Sequence, residues 1–238
     1  MIIMYKELAK YYDLIYSWKD YKKETEKLNQ LIKKYKNSDG NKLLDVACGT
    51  GNHLEYFKEN FSCTGIDLNE EMIDIAKSNI SDVTFNQADM IDFNLDDTFD
   101  VILCLFSSIG YVKTYENLEK TIGNFFNHLK SGGILIIEPW FTKSAYTVGL
   151  PSMTTYDGDD IKIARLNTTK VKNNLSVMEM HYLIVKKDKD VKHFVDRHEL
   201  GFFEIDKFLE IMKNAGFKAE FLEDGLMQRR GLYIGKKS

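Results

Sequence analysis

Proline is nearly absent: two prolines occur in 238 residues, and no Gly/Ser/Pro-rich stretch divides the chain. Independent domains are normally separated by such a shift in composition, so the chain reads as one domain with insertions. Cysteine is scarce as well. Cys48, Cys63 and Cys104 are odd in number and sit among apolar or glycine neighbours, which excludes a disulfide framework and points to reduced thiols. No Cys/His spacing of a metal site is present. Long apolar runs are also missing. The longest, Val101 to Phe106, is far too short to span a bilayer. Met1 to Met4 is apolar, but Lys6 and Glu7 follow at once, without the apolar core and cleavage site of a signal peptide. No membrane partner is expected, and the cytoplasm is the expected compartment. Charge of one sign is not in excess either. The net charge is −4 with both signs interspersed, and a polyanion usually calls for a concentrated basic face. Nucleic acid is therefore excluded as a partner.

What remains is a hydrophobic content of 44%, enough for one sizeable core, and a change of periodicity along the chain. Two helices are expected first. The second, over residues 20–36, sets Leu28, Leu31, Ile32 and Tyr35 on one face. Strands are expected at 43–46, 64–68, 83–88, 101–106 and 134–138, alternating with helical stripes such as Leu118, Ile122, Phe125, Phe126 and Leu129. Such alternation builds a doubly wound α/β sheet with helices on both faces. Residues 161–200 carry no helical stripe. They show three alternating runs broken at Lys172-Asn173-Asn174 and at Lys186 to Asp190, the signature of a small antiparallel sheet. A helix with Ile205, Phe208, Leu209 and Met212, then strands at 219–222 and 232–235, close the chain. The expected organisation is a helical cap (1–40), a ligand-binding core (41–140), an inserted antiparallel sheet (141–200) and a return to the core (201–238).

The chemistry concentrates in Leu43-Leu44-Asp45-Val46-Ala47-Cys48-Gly49-Thr50-Gly51. A strand ends in an acid, and a Gly-x-Gly turn opens a helix. Glycine lets the backbone approach a ligand with no Cβ in the way. A dinucleotide fingerprint has a third glycine, so that pyrophosphate can sit on the helix N-terminus; here Leu54 takes that place. The negative charge of Asp45 suits a ligand with an ammonium group better than a pyrophosphate. Asp67 and Asp89 follow at equal intervals, each at the end of a strand. A carboxylate at the first position can accept from two ribose hydroxyls, and at the second from an adenine amino group.

The Asp45–Gly51 string with Asp67 and Asp89 in register resembles class I methyltransferases, over about Lys42 to Pro139. The resemblance implies a seven-stranded Rossmann-like sheet and S-adenosyl-L-methionine as cofactor. Asp45, Ala47, Cys48, Gly49 and Gly51 would hold its methionine part beside Leu105. Asp67 would take the ribose, and Leu68, Met72, Asp89 and Met90 the adenine. Further matches lie at Tyr11-Tyr12-Asp13-Leu14-Ile15, Asp89-Met90-Ile91-Asp92-Phe93, Phe106-Ser107-Ser108-Ile109-Gly110, Glu138-Pro139-Trp140 and Arg230-Gly231-Leu232-Tyr233. These resemble the dTDP-3-amino-3,6-dideoxyhexose N,N-dimethyltransferases, nearly end to end. That likeness implies a nucleotide sugar as small-molecule acceptor, Tyr12 and Tyr111 as catalytic residues at the amine, and Trp140, Arg165, His181 and Arg230 as acceptor binders. The chain departs from the pattern at Tyr111, where some relatives carry a histidine, and at Phe141-Thr142-Lys143-Ser144. Packing roles for Tyr12 and Tyr111 stay open, as do another small-molecule N or O acceptor and a non-catalytic S-adenosylmethionine-binding protein. A homodimer is also open.

Overall fold

The computed structural model describes residues 8–227 and 229–238; the apolar Met1 to Met4 lies outside them. A 3-10 turn, Ala9–Tyr11, leads into a one-turn helix, α1 (Tyr12–Ile15), and then α2 (Tyr21–Tyr35). Asp20 caps α2 by accepting from the Lys23 N–H at 2.9 Å, and Lys33 and Lys34 occupy the last turn, where the helix dipole favours cations. The first expected helix is thus broken into two short pieces. The second falls where its stripe placed it, with Leu28, Ile32 and Tyr35 buried.

The core contains β1 (Lys42–Val46), α3 (Leu54–Phe57), β2 (Ser62–Asp67), α4 (Glu70–Asn79), β3 (Thr84–Gln87), β4 (Phe99–Cys104), α5 (Tyr115–His128) and β5 (Leu129–Ile137). After the inserted sheet come α6 (Ile205–Asn214), β10 (Phe217–Leu222) and β11 (Leu232–Lys237). The seven strands run in the order β3-β2-β1-β4-β5-β11-β10. The first five are mutually parallel, whereas β11 is antiparallel to both β5 and β10. The sheet is therefore mixed. Among the described residues no helix joins β10 to β11, and a parallel pairing needs a longer crossover than the direct return between them allows.

Successive residues of β1 point to opposite faces of the sheet. Leu44 and Val46 join one core cluster with Leu118, Ile122 and Phe125 of α5 and Phe208, Ile211 and Met212 of α6. Leu43 joins the other with Leu28 and Ile32 of α2, Leu54 and Phe57 of α3, and Ile73 and Ala76 of α4. Two buried layers fix the strand ends, and so fix the acids carried there.

The inserted sheet has four strands, not the three expected: β6 (Ser152–Asp157), β7 (Ile161–Lys172), β8 (Leu175–Lys186) and β9 (Lys192–Gly201), all antiparallel and in sequence order. β6 escapes a hydrophobicity reading because it is polar and mostly exposed, an edge strand without an apolar face. One face of this sheet packs on the chain's beginning: Leu8, Tyr11 and Ile15 form a third cluster with Ile163, Tyr182 and Ile184. The sheet and α1 together roof the carboxyl ends of the core strands. Among the described residues no helix is long and apolar enough to cross a membrane.

Candidate active site

The glycine loop after β1 is locally strained and needs its glycines. Ala47, Gly49 and Gly51 have φ of 59°, 57° and 83°, the left-handed region that favours glycine. A Cβ on Gly51 would meet Ile80 Cδ1 at 2.7 Å, so packing also demands glycine there. A Cβ on Gly49 would meet nothing within 4 Å; open space lies over that residue, where a ligand can approach the backbone. Asp67 braces the loop. Its Oδ2 accepts from the Gly49 N–H and its Oδ1 from the Asn69 N–H, both at 2.9 Å.

Asp45 is 2% exposed and no cation lies against it among the described residues. Burial, with the nearby charge of Asp67, pushes its carboxyl up to about 8. A buried acid of this kind is set to receive a cation. It lines a narrow cleft with Ala47, Cys48, Gly49, Leu105 and Tyr12, which brings five of the expected cofactor residues and one of the two tyrosines into one wall. Asp89 lies two residues beyond β3 and not within it. Its carboxylate accepts from the Ile91 N–H at 2.9 Å and so closes the turn that carries it. Met72 is buried in the first turn of α4 under the Asn69 cap, Met90 is half-buried, and Leu68 is 65% exposed beside Asp67.

The other wall comes from distant parts of the chain. β4 ends at Cys104, and Phe106 and Ser107 follow with φ of 53° and 65°. Two consecutive non-glycine residues in this region store about 1–3 kcal/mol each, and such strain clusters at functional sites. They are held there by Glu138, whose Oε2 accepts from the Phe106 N–H at 2.8 Å, and by Ser107, whose hydroxyl donates to the Pro139 carbonyl at 2.7 Å. Arg230 Nη1 donates to Ser107 Oγ at 2.9 Å, and its guanidinium lies 5.0 Å from the ring centres of both Trp140 and Phe141. Arg165 is buried, donates to Tyr16 Oη at 2.9 Å and to Thr154 Oγ1 at 3.0 Å, and sits over the Tyr16 ring. Tyr16 in turn packs on Tyr12 and Phe106.

Five buried polar atoms on these residues and on Asp196 of β9 have no hydrogen-bond partner among the described residues: Glu138 Oε1, Trp140 Nε1, Arg165 Nε, Asp196 Oδ1 and Arg230 Nε. Buried polar atoms are normally satisfied. This set contains both donors and acceptors.

Tyr12 belongs to both walls. Burial raises its hydroxyl pKa well above the usual value, and Tyr16, Tyr21, Tyr111 and Asp67 add to the effect; it therefore acts as a phenol, not a phenolate. Tyr111 is 42% exposed and bonded to His198 Nδ1 at 2.6 Å. His181 is not brought to this group. Side chains alternate along β8, and His181 points to the face opposite Tyr182, exposed and stacked on His193 at 5.3 Å.

Other residues emerge only in the folded chain. Asp13 on α1 accepts from Thr50 Oγ1 at 2.7 Å and from Asn52 Nδ2 at 2.8 Å, tying the roof to the glycine loop. Buried Lys19 pairs with Glu24, which also bonds His53 Nε2 at 2.8 Å. Asp13 adjoins Tyr12 in the matched motif, so its position was visible although its role was not. The Lys19–Glu24–His53 group carries no local pattern at all.

The comparisons with known proteins agree with this geometry. Residues 43–133 match the model of a family described as methyltransferase domain. A dTDP-3-amino-3,4,6-trideoxy-alpha-D-glucopyranose N,N-dimethyltransferase of Streptomyces venezuelae is 36% identical, over 95% of this chain and 96% of its own. The crystal structure of Streptomyces venezuelae DesVI superposes with a TM-score of 0.91 at 35% identity, covering 97% of this chain and 98% of the other. S-adenosylmethionine-bound CalS10, an amino pentose methyltransferase from Micromonospora echinaspora, superposes at 0.83 with 25% identity and 92% of each chain covered.

Proposed function

Because this chain belongs to the S-adenosylmethionine-dependent methyltransferases, we propose that its acceptor is the amine of a nucleotide-linked deoxyamino sugar. The observation that supports the reading is the set of five buried polar atoms without a partner among the described residues, on Glu138, Trp140, Arg165, Asp196 and Arg230. A simple apolar amine would leave them unsatisfied, at about 1–3 kcal/mol each. A pyrophosphate and a hydroxylated sugar ring offer many acceptors and donors.

The donor half fits its ligand. Asp45 offers a buried carboxyl that an arriving ammonium group would hold in its ionised form, and the space over Gly49 admits close approach. Asp67, with each oxygen already accepting one backbone N–H, keeps a second lone pair on each for ribose hydroxyls, and Asp89 has lone pairs for an adenine amino group. Leu68 and Met90 supply apolar cover for a base. S-adenosylmethionine, when bound, supplies a methyl group on a sulfonium that leaves as a neutral thioether.

The protein's own work is positioning. Arg230, held flat by Trp140 and Phe141 and anchored by Ser107, presents a fixed guanidinium fork, the geometry that suits phosphate oxygens. Arg165 offers a second cation from the inserted sheet, and Trp140 Nε1 a neutral donor. Tyr12 and Tyr111 orient the amine's lone pair. Holding reactants in a reactive geometry can supply roughly 7–11 kcal/mol of a barrier. The roof formed by α1 and the inserted sheet excludes water from the cleft.

The test is a panel of acceptors incubated with donor and protein and analysed by mass spectrometry. The reading expects methylation of a nucleotide-linked amino sugar, with the parent hydroxy-sugar nucleotide inert. Methylation of simple amines or carboxylates, with nucleotide sugars untouched, would replace it.

A further inference from the structure

Side chains of a strand alternate between the two faces of its sheet, and the outer face of the inserted sheet carries two histidines. His181 of β8 pairs in register with Val195, and His193 of β9 with Leu183, so the two are diagonal neighbours on adjacent strands. His181 Nδ1 lies 3.1 Å from His193 Nε2, and the ring centres are 5.3 Å apart. Both side chains are exposed. They stand 12 residues apart in the chain, so no local ligand spacing reveals them, and they meet only because β8 and β9 pair. The other three of the five histidines, His53, His128 and His198, are buried.

We propose that His181 and His193 form a site for one divalent cation of the kind imidazole prefers, Ni²⁺, Cu²⁺ or Zn²⁺, held across β8 and β9. In the contact between the neutral rings, one facing nitrogen donates and the other accepts. A metal needs the lone pair of both. The donating ring therefore shifts its proton to its far nitrogen, through the water that reaches both exposed rings, and no net charge is lost from the pair. With Nδ1 and Nε2 3.1 Å apart and metal–nitrogen bonds of roughly 2.0–2.1 Å, the angle at the metal is about 98°. That value falls between the right angle of a square-planar or octahedral ion and the tetrahedral angle. The two nitrogens already stand at the separation of two ligands on one metal, and exposed rings can turn to aim their lone pairs at it.

The surroundings leave the pair to the ion. Leu166 and Val195 flank His181 in its cross-strand row, and Leu183 lies opposite His193. The charged groups of the neighbouring rows are paired among themselves: Arg197 with Glu199 at 2.8 Å and with Glu179 at 3.7 Å, and Lys162 with Asp157. Among the described residues no third histidine, cysteine or carboxylate completes a larger ligand set, so water fills the remaining positions of the metal. The cluster that holds α1 against the sheet, with Tyr182 and Ile184 of β8, is on the opposite face. A bound ion thus clamps β8 to β9 without entering the cleft, and the site is independent of the acceptor reading above.

The test is calorimetric titration of the chelator-treated full chain with Ni²⁺ near neutral pH, in wild type, His181→Ala and His193→Ala. Wild type is expected to bind one equivalent at this site. Each variant should bind that equivalent at least tenfold more weakly, because a single imidazole cannot chelate. Both side chains are exposed, so the variants are expected to fold, and circular dichroism checks that they do. Thermal melting gives an independent readout. An ion that binds only the folded pairing of β8 and β9 raises the melting temperature, so Ni²⁺ should raise it in wild type and leave both variants unmoved. No Ni²⁺ binding by wild type, or equal stoichiometry and affinity in either variant, would overturn the site and leave the two histidines as a hydrogen-bonded pair. A Ni²⁺-dependent rise in melting temperature that persists in both variants would overturn it as well, by placing the ion elsewhere.

Discussion

The two walls of the cleft are built on different principles. The proposed donor wall is backbone and short acids: a strained glycine loop, with Asp45, Asp67 and Asp89 at or just beyond strand ends, the last two accepting from main-chain N–H groups. The acceptor wall is long side chains: arginines stacked on rings, a tryptophan and a Tyr–His–Asp chain, gathered from residues 12 to 230 and left with unpaired polar atoms. A wall of the first kind is rigid and committed to one ligand. A wall of the second kind can change its acceptor by exchanging one or two side chains without disturbing the core.

Asp45 should give the sharpest separation of the walls. Asp45→Asn removes the carboxyl that would ionise against the donor's ammonium, and donor affinity should fall by about 3–5 kcal/mol, as when one partner of a buried pair is lost. The ligand-free protein should respond in the opposite direction. A carboxyl with a raised folded-state pKa contributes stability that is complete below its ordinary value near 4 and is lost as pH rises toward about 8. The variant should therefore melt higher than wild type at pH 7, by at most about 4 kcal/mol at 1.36 kcal/mol per pKa unit, and the difference should vanish near pH 4. Calorimetric melting of both proteins across that range checks the sign; a variant less stable than wild type at pH 7 breaks the argument.

Asp67→Ala should weaken donor binding by about 1.5–3 kcal/mol, as expected for hydrogen bonds to a charged acceptor. Arg230→Ala should cost a similar amount on the other side, raising the acceptor KM while the donor dissociation constant stays within about twofold. Titration calorimetry with each ligand decides whether the two losses stay on their own walls. Tyr12→Phe should lower kcat by about tenfold or less, the worth of one neutral hydrogen bond. His181→Ala should change neither KM nor kcat measurably, because its imidazole faces solvent on the outer side of the sheet.

The same contrast decides what could be read from sequence. The donor wall was legible because its residues are contiguous or evenly spaced, and because strand ends inherit their place from the sheet. The core strands were found within a few residues, except that Leu105 and Phe106 leave β4 in a strained turn that periodicity treats as more strand. The antiparallel β11 was not foreseen, since strand–helix alternation carries no direction once the helix is missing. On the acceptor wall the likeness to a family supplied Tyr12, Tyr111, Arg165 and Arg230, but not their partners. Asp196 and His198 are two polar residues at strand spacing, indistinguishable in sequence from a solvated face until β9 meets the helix bearing Tyr111. His181 lies apart from the other expected acceptor binders for the complementary reason: one residue of register reverses the face.

The central claim is that the orphaned polar wall recognises the nucleotide part of the acceptor independently of the donor wall. Calorimetric titration of the protein, saturated with S-adenosylhomocysteine, with a nucleotide-linked amino sugar and with the free amino sugar tests it most directly. The account predicts binding of the nucleotide form at least a hundredfold tighter, and collapse of that preference in the Arg165→Ala, Arg230→Ala double variant. Equal affinity for the two sugars in wild type, or an undiminished preference in the double variant, would contradict it.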